Sequence, residues 1–287
     1  MTDAQDTRPV AIVTGGTRGI GRGTSEALAD EGFDLLLGYG TNAEAAETAA
    51  SELRERGARV VVVGGDVSEE ATVVRYFEVF QKEFPSQQLR AVVHNAGQYM
   101  GLTAANNVGV SDGAPRLLGS LLLPDGSVDF SRFDYYHQIY ARAWVQLVER
   151  AVPFLTVGGG SVIGISSPGC NATQVPAGGY DMPGSAKTVM ETTARFYAKN
   201  LAHQGITVNV VIPGVTLSDA WIHVAKGRGM AEDHTMAKEV AERAVPLGRA
   251  QSCRELGDVV AFLCSSRGKY ITGVALPVDG GLHLGKK

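Results

Sequence analysis

Thr14-Gly15-Gly16-Thr17-Arg18-Gly19-Ile20-Gly21 decides the reading of this chain, because of what stands on either side of it. Val10–Val13, just before, is a short β-rich run. Just after, Ile20, Ala27 and Leu28 share one helical face up to Gly32. Strand, glycine-rich turn and helix in that order form the setting in which such a turn cradles a pyrophosphate. Gly15 and Gly19 allow close backbone approach, and the helix N-terminus offers unpaired N–H groups and a positive dipole end. The competing reading is a tight turn without a ligand.

Working outward, the same alternation continues. Phe33–Leu37 reads as a second strand, followed by Gly38-Tyr39-Gly40-Thr41-Asn42. Dinucleotide sites that select NAD place an Asp or Glu here for the ribose 2′-OH. This chain has neither. Arg18 inside the glycine turn could pair with a 2′-phosphate, so NADPH/NADP is expected over NAD; the plain alternative for Arg18 is a solvated charge. Ala43–Arg56 is a helix closed by Gly57, and Val60–Val63 is a third strand whose continuous apolar run suits a buried parallel sheet. Asp66-Val67 follows, then a helix from about Ser68, its expected N-cap, to Phe84. Leu89–Val93 is the fourth strand and ends in His94-Asn95-Ala96-Gly97. Strands alternating with helices predict an α/β, Rossmann-type doubly wound parallel sheet with helices on both faces.

Periodicity then lapses over Gln98–Asp129. The 98–130 stretch reads as an expanded loop or lid, and its leucines either cover the active site or pack on a neighbouring subunit. Ser131–Leu155 is expected as one long helix and Ser161–Ile165 as the fifth strand. Lys187–Gln204 is an amphipathic helix, Val208–Ile212 the sixth strand and Pro213-Gly214-Val215-Thr216 its exit. Residues 219–245 read as a mobile substrate-side segment. Leu256–Cys264 is the last helix and Ala275–Val278 the seventh strand. No break divides residues 1–287, so a single domain is expected, with 1–8 as a frayed lead-in.

The chain has 287 residues, 44% hydrophobic and 20% charged, with net charge −4. That composition supports one substantial core and points to neither nucleic acid nor an anionic membrane. Cys170, Cys253 and Cys264 form no CxxC, so a reduced, cytoplasmic setting is expected. No secretory leader or long apolar run is evident. His94 and His223 show no metal-ligand spacing. His94 is expected to be packed beside the cofactor, and His223 is a candidate substrate contact.

The candidate catalytic stretch is Ser166-Ser167-Pro168-Gly169-Cys170, then Tyr180-Asp181-Met182-Pro183-Gly184-Ser185-Ala186-Lys187. Seven helical steps would separate Tyr180 from Lys187 by about 10 Å. Gly178-Gly179 and Pro183 instead leave Tyr180 on a loop ahead of the helix, free to fold back towards Lys187. The alternatives are a buried structural Tyr and a solvated Lys. Cys170 is read as a small buried residue rather than a nucleophile.

Taken together these residues resemble the short-chain dehydrogenase/reductase family over essentially the whole chain. The turn resembles TGxxxGxG, Asn95-Ala96-Gly97 the NAG segment, and Pro213-Gly214 the PG turn. The resemblance implies a seven-stranded sheet, a homodimer or homotetramer, and Ser167, Tyr180 and Lys187 as catalytic residues. It implies a cofactor site from Gly15, Thr17, Arg18, Gly19, Ile20, Gly21, Tyr39, Asp66, Val67, Asn95, Ala96, Gly97, Lys187, Pro213, Gly214, Val215 and Thr216, with no metal. Two departures stand out. The family's tyrosine lies four residues before the lysine, where this chain has Pro183; Tyr180-x6-Lys187 is similar to the enoyl-acyl-carrier-protein reductase branch. The helix Asn that supports a proton-relay water in the family is Tyr140 here. The resemblance thus implies C=C reduction of an enoyl or enone substrate. A carbonyl or imine reductase, with or without cyclisation, and a non-catalytic NADP-binding sensor or structural subunit remain as alternatives.

Overall fold

The computed structural model describes residues 8–97, 123, 125–155, 158–171, 174–175, 181–227 and 229–286. Seven strands form one sheet: β1 (Val10–Thr14), β2 (Asp34–Tyr39), β3 (Val60–Gly64), β4 (Leu89–His94), β5 (Ser161–Ile165), β6 (Thr207–Pro213) and β9 (Ala275–Val278). Their spatial order is β3-β2-β1-β4-β5-β6-β9, and every neighbouring pair is parallel. The chain winds outward from β1 to β3, then returns to β4 on the other side of β1. The carboxyl ends of β1 and β4 therefore flank a topological switch point, where the crossovers diverge and leave a crevice. The expected α/β fold is the observed one.

Helices cover both faces because the strands are apolar on both. On one face α3 (Glu70–Glu83), the helical run from Ser131 to Ala151, and α6 (Asp181–Leu201) bury Phe77, Trp144, Leu147 and Met190. On the other, α1 (Gly19–Asp30), α2 (Ala43–Glu55) and α9 (Cys253–Cys264) bury Leu28, Leu53, Leu256 and Val260. α1 and α9 meet backbone to backbone, since a Cβ on Gly257 would lie 2.2 Å from the Gly23 carbonyl oxygen. A short pair, β7 (Thr216–Leu217) with β8 (Gln251–Ser252), follows the end of β6.

Four expectations are corrected. Residue 8 is not frayed: the Arg8 guanidinium donates to the carbonyls of Gly32 and Gly57 and pairs with buried Asp34 at 3.3 Å. Ser68 does not cap α3: the helix begins at Glu70, Glu69 holds the N-cap position, and Ser68 closes an Asx turn by donating its N–H to Asp66 Oδ1 at 2.9 Å. Residues 219–245 are largely helical, as α7 (Asp219–Gly227) and α8 (Thr235–Ala244), and α8 packs Ala237 and Ala241 against Val215 and Val245. The Ser131–Leu155 helix is not uniform. α4 (Ser131–Tyr136) passes through a π-helical turn, His137–Arg142, before resuming as α5 (Ala143–Ala151). Such a turn widens the helix by one residue and recurs at functional sites. The greater part of the 98–130 loop lies outside the described residues.

Candidate active site

The glycine turn stands at the carboxyl end of β1. Gly15 and Gly19 adopt left-handed φ of 62° and 51°, which favours residues without a Cβ. Arg18 occupies the N-cap position of α1 with extended backbone and an exposed side chain. A Cβ at Gly19 would meet only Ser218 Cβ, at 3.6 Å. Open space therefore fronts the α1 N-terminus, and the first backbone N–H groups there suit a pyrophosphate. Thr17 lies in the same turn, Ile20 packs half-buried on the core, and Gly21 is buried against Gly15.

Asn95-Ala96-Gly97 closes on the turn from β4. The Asn95 amide donates to the carbonyls of Thr14 and Gly15, both at 3.1 Å. The hydroxyl of Thr14 accepts from the N–H groups of Asn95 and Ala96 at 3.0 and 2.9 Å. Its own hydrogen points to His94 Nδ1, 3.1 Å away. His94 Nε2 lies 3.1 Å from the Ile139 carbonyl, which can only accept. The imidazole is thus the Nε2–H tautomer and links β1, β4 and the π-helical turn in one directed chain. Burial, reinforced by the charge of Lys187, pushes the His94 pKa down to about 4. His94 is packed, as expected.

Farther out, the Tyr39 ring lies against Gly64. Asp66 is exposed beside it, while the Val67 side chain belongs to the core. At the end of β6, Gly214 N–H donates to Val278 O, and a Cβ on Gly214 would lie 2.6 Å from Asp279 Cα. Val215 and Thr216 are buried, and the Thr216 hydroxyl donates to Gly214 O and accepts from Gln251 Nε2.

Two of the three candidate catalytic residues, Lys187 and Ser167, meet at the end of β5. Lys187 is only 7% exposed. Its Nζ donates to Ser167 Oγ at 2.9 Å and to Ser166 O at 3.2 Å, and lies 4.7 Å from the centre of the Tyr140 ring. That ring stacks on Tyr136 and abuts Gly97. Where the family resemblance implies an Asn, an aromatic face holds the lysine charge. Burial lowers the Lys187 pKa to about 8, against the raising influence of Cys170 and Glu191. Pro183, one turn before Lys187, is buried. α6 begins at Asp181, immediately after Tyr180, which itself lies outside the described residues.

Cys170 is buried and its thiol is pushed up by burial, unlike an activated nucleophile. His223 is exposed on α7. Glu191 and Asn171 belong to the same cluster and are missing from the sequence reading. The available signal for Glu191 was its spacing, four residues beyond Lys187 and hence on the same helical face.

Comparison with known proteins places these features in context. Residues 15–283 match the family described as enoyl-(acyl carrier protein) reductase. The hydroxynaphthalene reductase-like protein of Metarhizium anisopliae is 27% identical over 95% of this chain and 94% of its own. The 1-cyclohexenylcarbonyl-CoA reductase of Streptomyces collinus is 30% identical over 97% of this chain and 88% of its own. The L-sorbose reductase of Gluconobacter frateurii, solved with NADPH and L-sorbose, superposes with a TM-score of 0.76. It is 26% identical over 96% of this chain and 97% of its own.

Proposed function

Because the chain belongs to the short-chain dehydrogenase/reductase family and is an NADP-dependent oxidoreductase, we propose that it reduces an activated C=C bond conjugated to a carbonyl. The observation that carries this reading is the pairing at the start of α6. Pro183, buried one turn before Lys187, has no hydroxyl to give, and the nearest preceding phenol is Tyr180, one residue ahead of the helix. The 1-cyclohexenylcarbonyl-CoA reductase similarity supports the same substrate class.

NADPH supplies the hydride when bound. Gly15, Thr17, Gly19, Ile20 and Gly21 hold its pyrophosphate, Arg18 its 2′-phosphate, and Tyr39, Asp66 and Val67 its adenosine end. Asn95-Ala96-Gly97 and Pro213-Gly214-Val215-Thr216 flank the nicotinamide. Tyr180 O–H donates to the substrate carbonyl oxygen, where negative charge gathers as an enolate. An unperturbed phenol titrates near 10, so it needs a cation nearby to act close to neutrality. Lys187 supplies that charge and donates to the nicotinamide ribose. Ser167, bonded to Lys187, orients the same group. The substrate is a small molecule, and the reading carries homodimeric or homotetrameric assembly and a cytoplasmic setting with it.

The test is a panel of enoyl thioesters and enones against saturated ketones, read as NADPH oxidation. Enones are expected to turn over, and Tyr180→Phe to lose roughly 100- to 1,000-fold in kcat with NADPH affinity kept. Undiminished turnover would remove Tyr180 from the chemistry. Carbonyl reduction is the second reading, favoured by the likeness to a reductase solved with L-sorbose, a ketose. Turnover of ketones alone would select it.

A further inference from the structure

Glu191 is a buried carboxylate beside Lys187. It is 6% exposed and stands on α6 one turn beyond Lys187. Both of its oxygens are engaged. Ser166 Oγ donates to Oε1, and Asn171 Nδ2 donates to Oε2 at 3.0 Å. These two residues are the ends of the segment that carries Ser167 and Cys170, with left-handed Gly169 between them. Ser166 is the knot. Its N–H bonds Val211 O at 2.9 Å, its carbonyl accepts from Lys187 Nζ at 3.2 Å, and its hydroxyl goes to Glu191. Thr188, next to Lys187, adds a hydroxyl bond to Cys170 O.

A buried carboxylate is expensive unless hydrogen-bonded and offset by a cation. Here two neutral donors meet its oxygens and Lys187 lies on the same helical face. Lys187 and Thr188 also bond this loop, at Ser166, Ser167 and Cys170, and Glu191 bonds its two end residues. We propose that Glu191 is a positioning residue: its carboxylate staples both ends of the Ser166–Asn171 loop to α6, setting Ser167 against Lys187 and holding the lysine in its cationic form. The inference rests on the reductase reading of Ser167 and Lys187, not on the choice between C=C and C=O.

Among the described residues, the titratable groups facing Lys187 are Glu191 from its own helix, Cys170 from the loop, His94 from β4 and Tyr140 from the π-helical turn. Burial brings the lysine's pKa to about 8, against the raising influence of Cys170 and, after it, Glu191. Removing the anion must therefore move the lysine titration down.

The experiment is an NMR titration of protein labelled with ¹³Cε-lysine. The Lys187 resonance is assigned by its loss in Lys187→Met. This readout needs no substrate, so it stands or falls apart from the proposed reaction. In Glu191→Gln the Lys187 midpoint is expected to fall by about one pH unit. Turnover should drop roughly tenfold to a hundredfold, with the alkaline limb of its pH profile moved down in parallel and NADPH affinity kept. Asn171→Ala cuts one arm and leaves the charge, so its midpoint should stay near that of the parent while kcat falls. An unchanged midpoint in Glu191→Gln, or a uniform loss of activity at all pH values, would overturn the proposal. Should Glu191→Gln fail to fold, Asn171→Ala and Ser166→Ala decide: unchanged kcat in both would sink the staple.

Discussion

The glycine turn at Thr14–Gly21 and the loop at Ser166–Asn171 stand at the carboxyl ends of β1 and β5, on either side of β4, yet they are held by different means. The turn is fixed by backbone sterics and by neutral hydrogen bonds: left-handed Gly15 and Gly19, and the Asn95 amide on two carbonyls. The loop is fixed by buried charge: Lys187 on Ser166 and Ser167, and Glu191 on Ser166 and Asn171. Steric control tolerates no added atom but is indifferent to pH. Charge control tolerates conservative changes in shape but depends on which protons are present. The glycine turn should therefore fail by substitution, and the Ser166–Asn171 loop by titration.

The sharpest way to break this contrast is Gly21→Ala. A Cβ there would lie 2.0 Å from the Gly15 carbonyl oxygen and 2.5 Å from Asn95 Nδ2. The first is backbone and the second is already committed to the turn, so the turn itself must move. Loss of NADPH affinity of at least roughly 100-fold is expected, about 3 kcal/mol or more, at every pH. It can be read by the quenching or transfer of protein fluorescence on titration with NADPH. Binding within a factor of a few of the parent would mean the turn is softer than its contacts imply.

His94→Asn tests the boundary between the two regions, since His94 joins Thr14 of the cradle to the helix beneath Lys187. Its folded pKa, about 4, lies below the ordinary value of 6.5. As the pH falls below 6.5 the unfolded chain takes up a proton that the folded chain refuses, so stability falls with it. Between pH 6.5 and 5 this linkage amounts to about 1.6 kcal/mol. Asn has no such titration, so His94→Asn should flatten the loss over that window even if it lowers stability at neutral pH. Urea midpoints at closely spaced pH values check this. An identical slope in parent and variant would show that His94 titrates normally.

The same contrast explains what could be read from the chain alone. The cradle was legible because glycines at fixed offsets from a strand leave few other geometries, and strand ends were found to within a residue or two. The α8 helix was not, because its buried residues are only Met236, Ala237 and Ala241, and the two alanines pack with Val215, more than twenty residues away in sequence. The π-helical turn was likewise hidden. It follows from Tyr140 being wedged between Gly97 and Lys187 and from His94 taking the Ile139 carbonyl, all contacts between separate elements. Lys187 and Ser167 were each named from the sequence and stand within hydrogen-bond distance, but Glu191 drew no notice, because its burial depends on a loop that folds back over it.

Arg18 belongs to the cradle by position but to the charge-controlled kind by chemistry, and it should give the smallest effect of the three. Its guanidinium is exposed at the start of α1. No Asp or Glu stands between β2 and α2 in the sequence, and Asn42 is occupied in capping α2 through Ala45 N–H at 2.9 Å. A hydrogen bond to a charged group contributes about 1.5 kcal/mol or somewhat more, and an exposed one is weakened by salt. Arg18→Ala should then cost about tenfold in NADPH affinity at low ionic strength, leave NADH almost unchanged, and show a gap that narrows as salt is added. Parallel titrations of both cofactors at two salt concentrations measure this. Equal losses for NADPH and NADH would assign Arg18 to the pyrophosphate, which both share, and would leave the choice of NADP to the missing carboxylate after β2 alone.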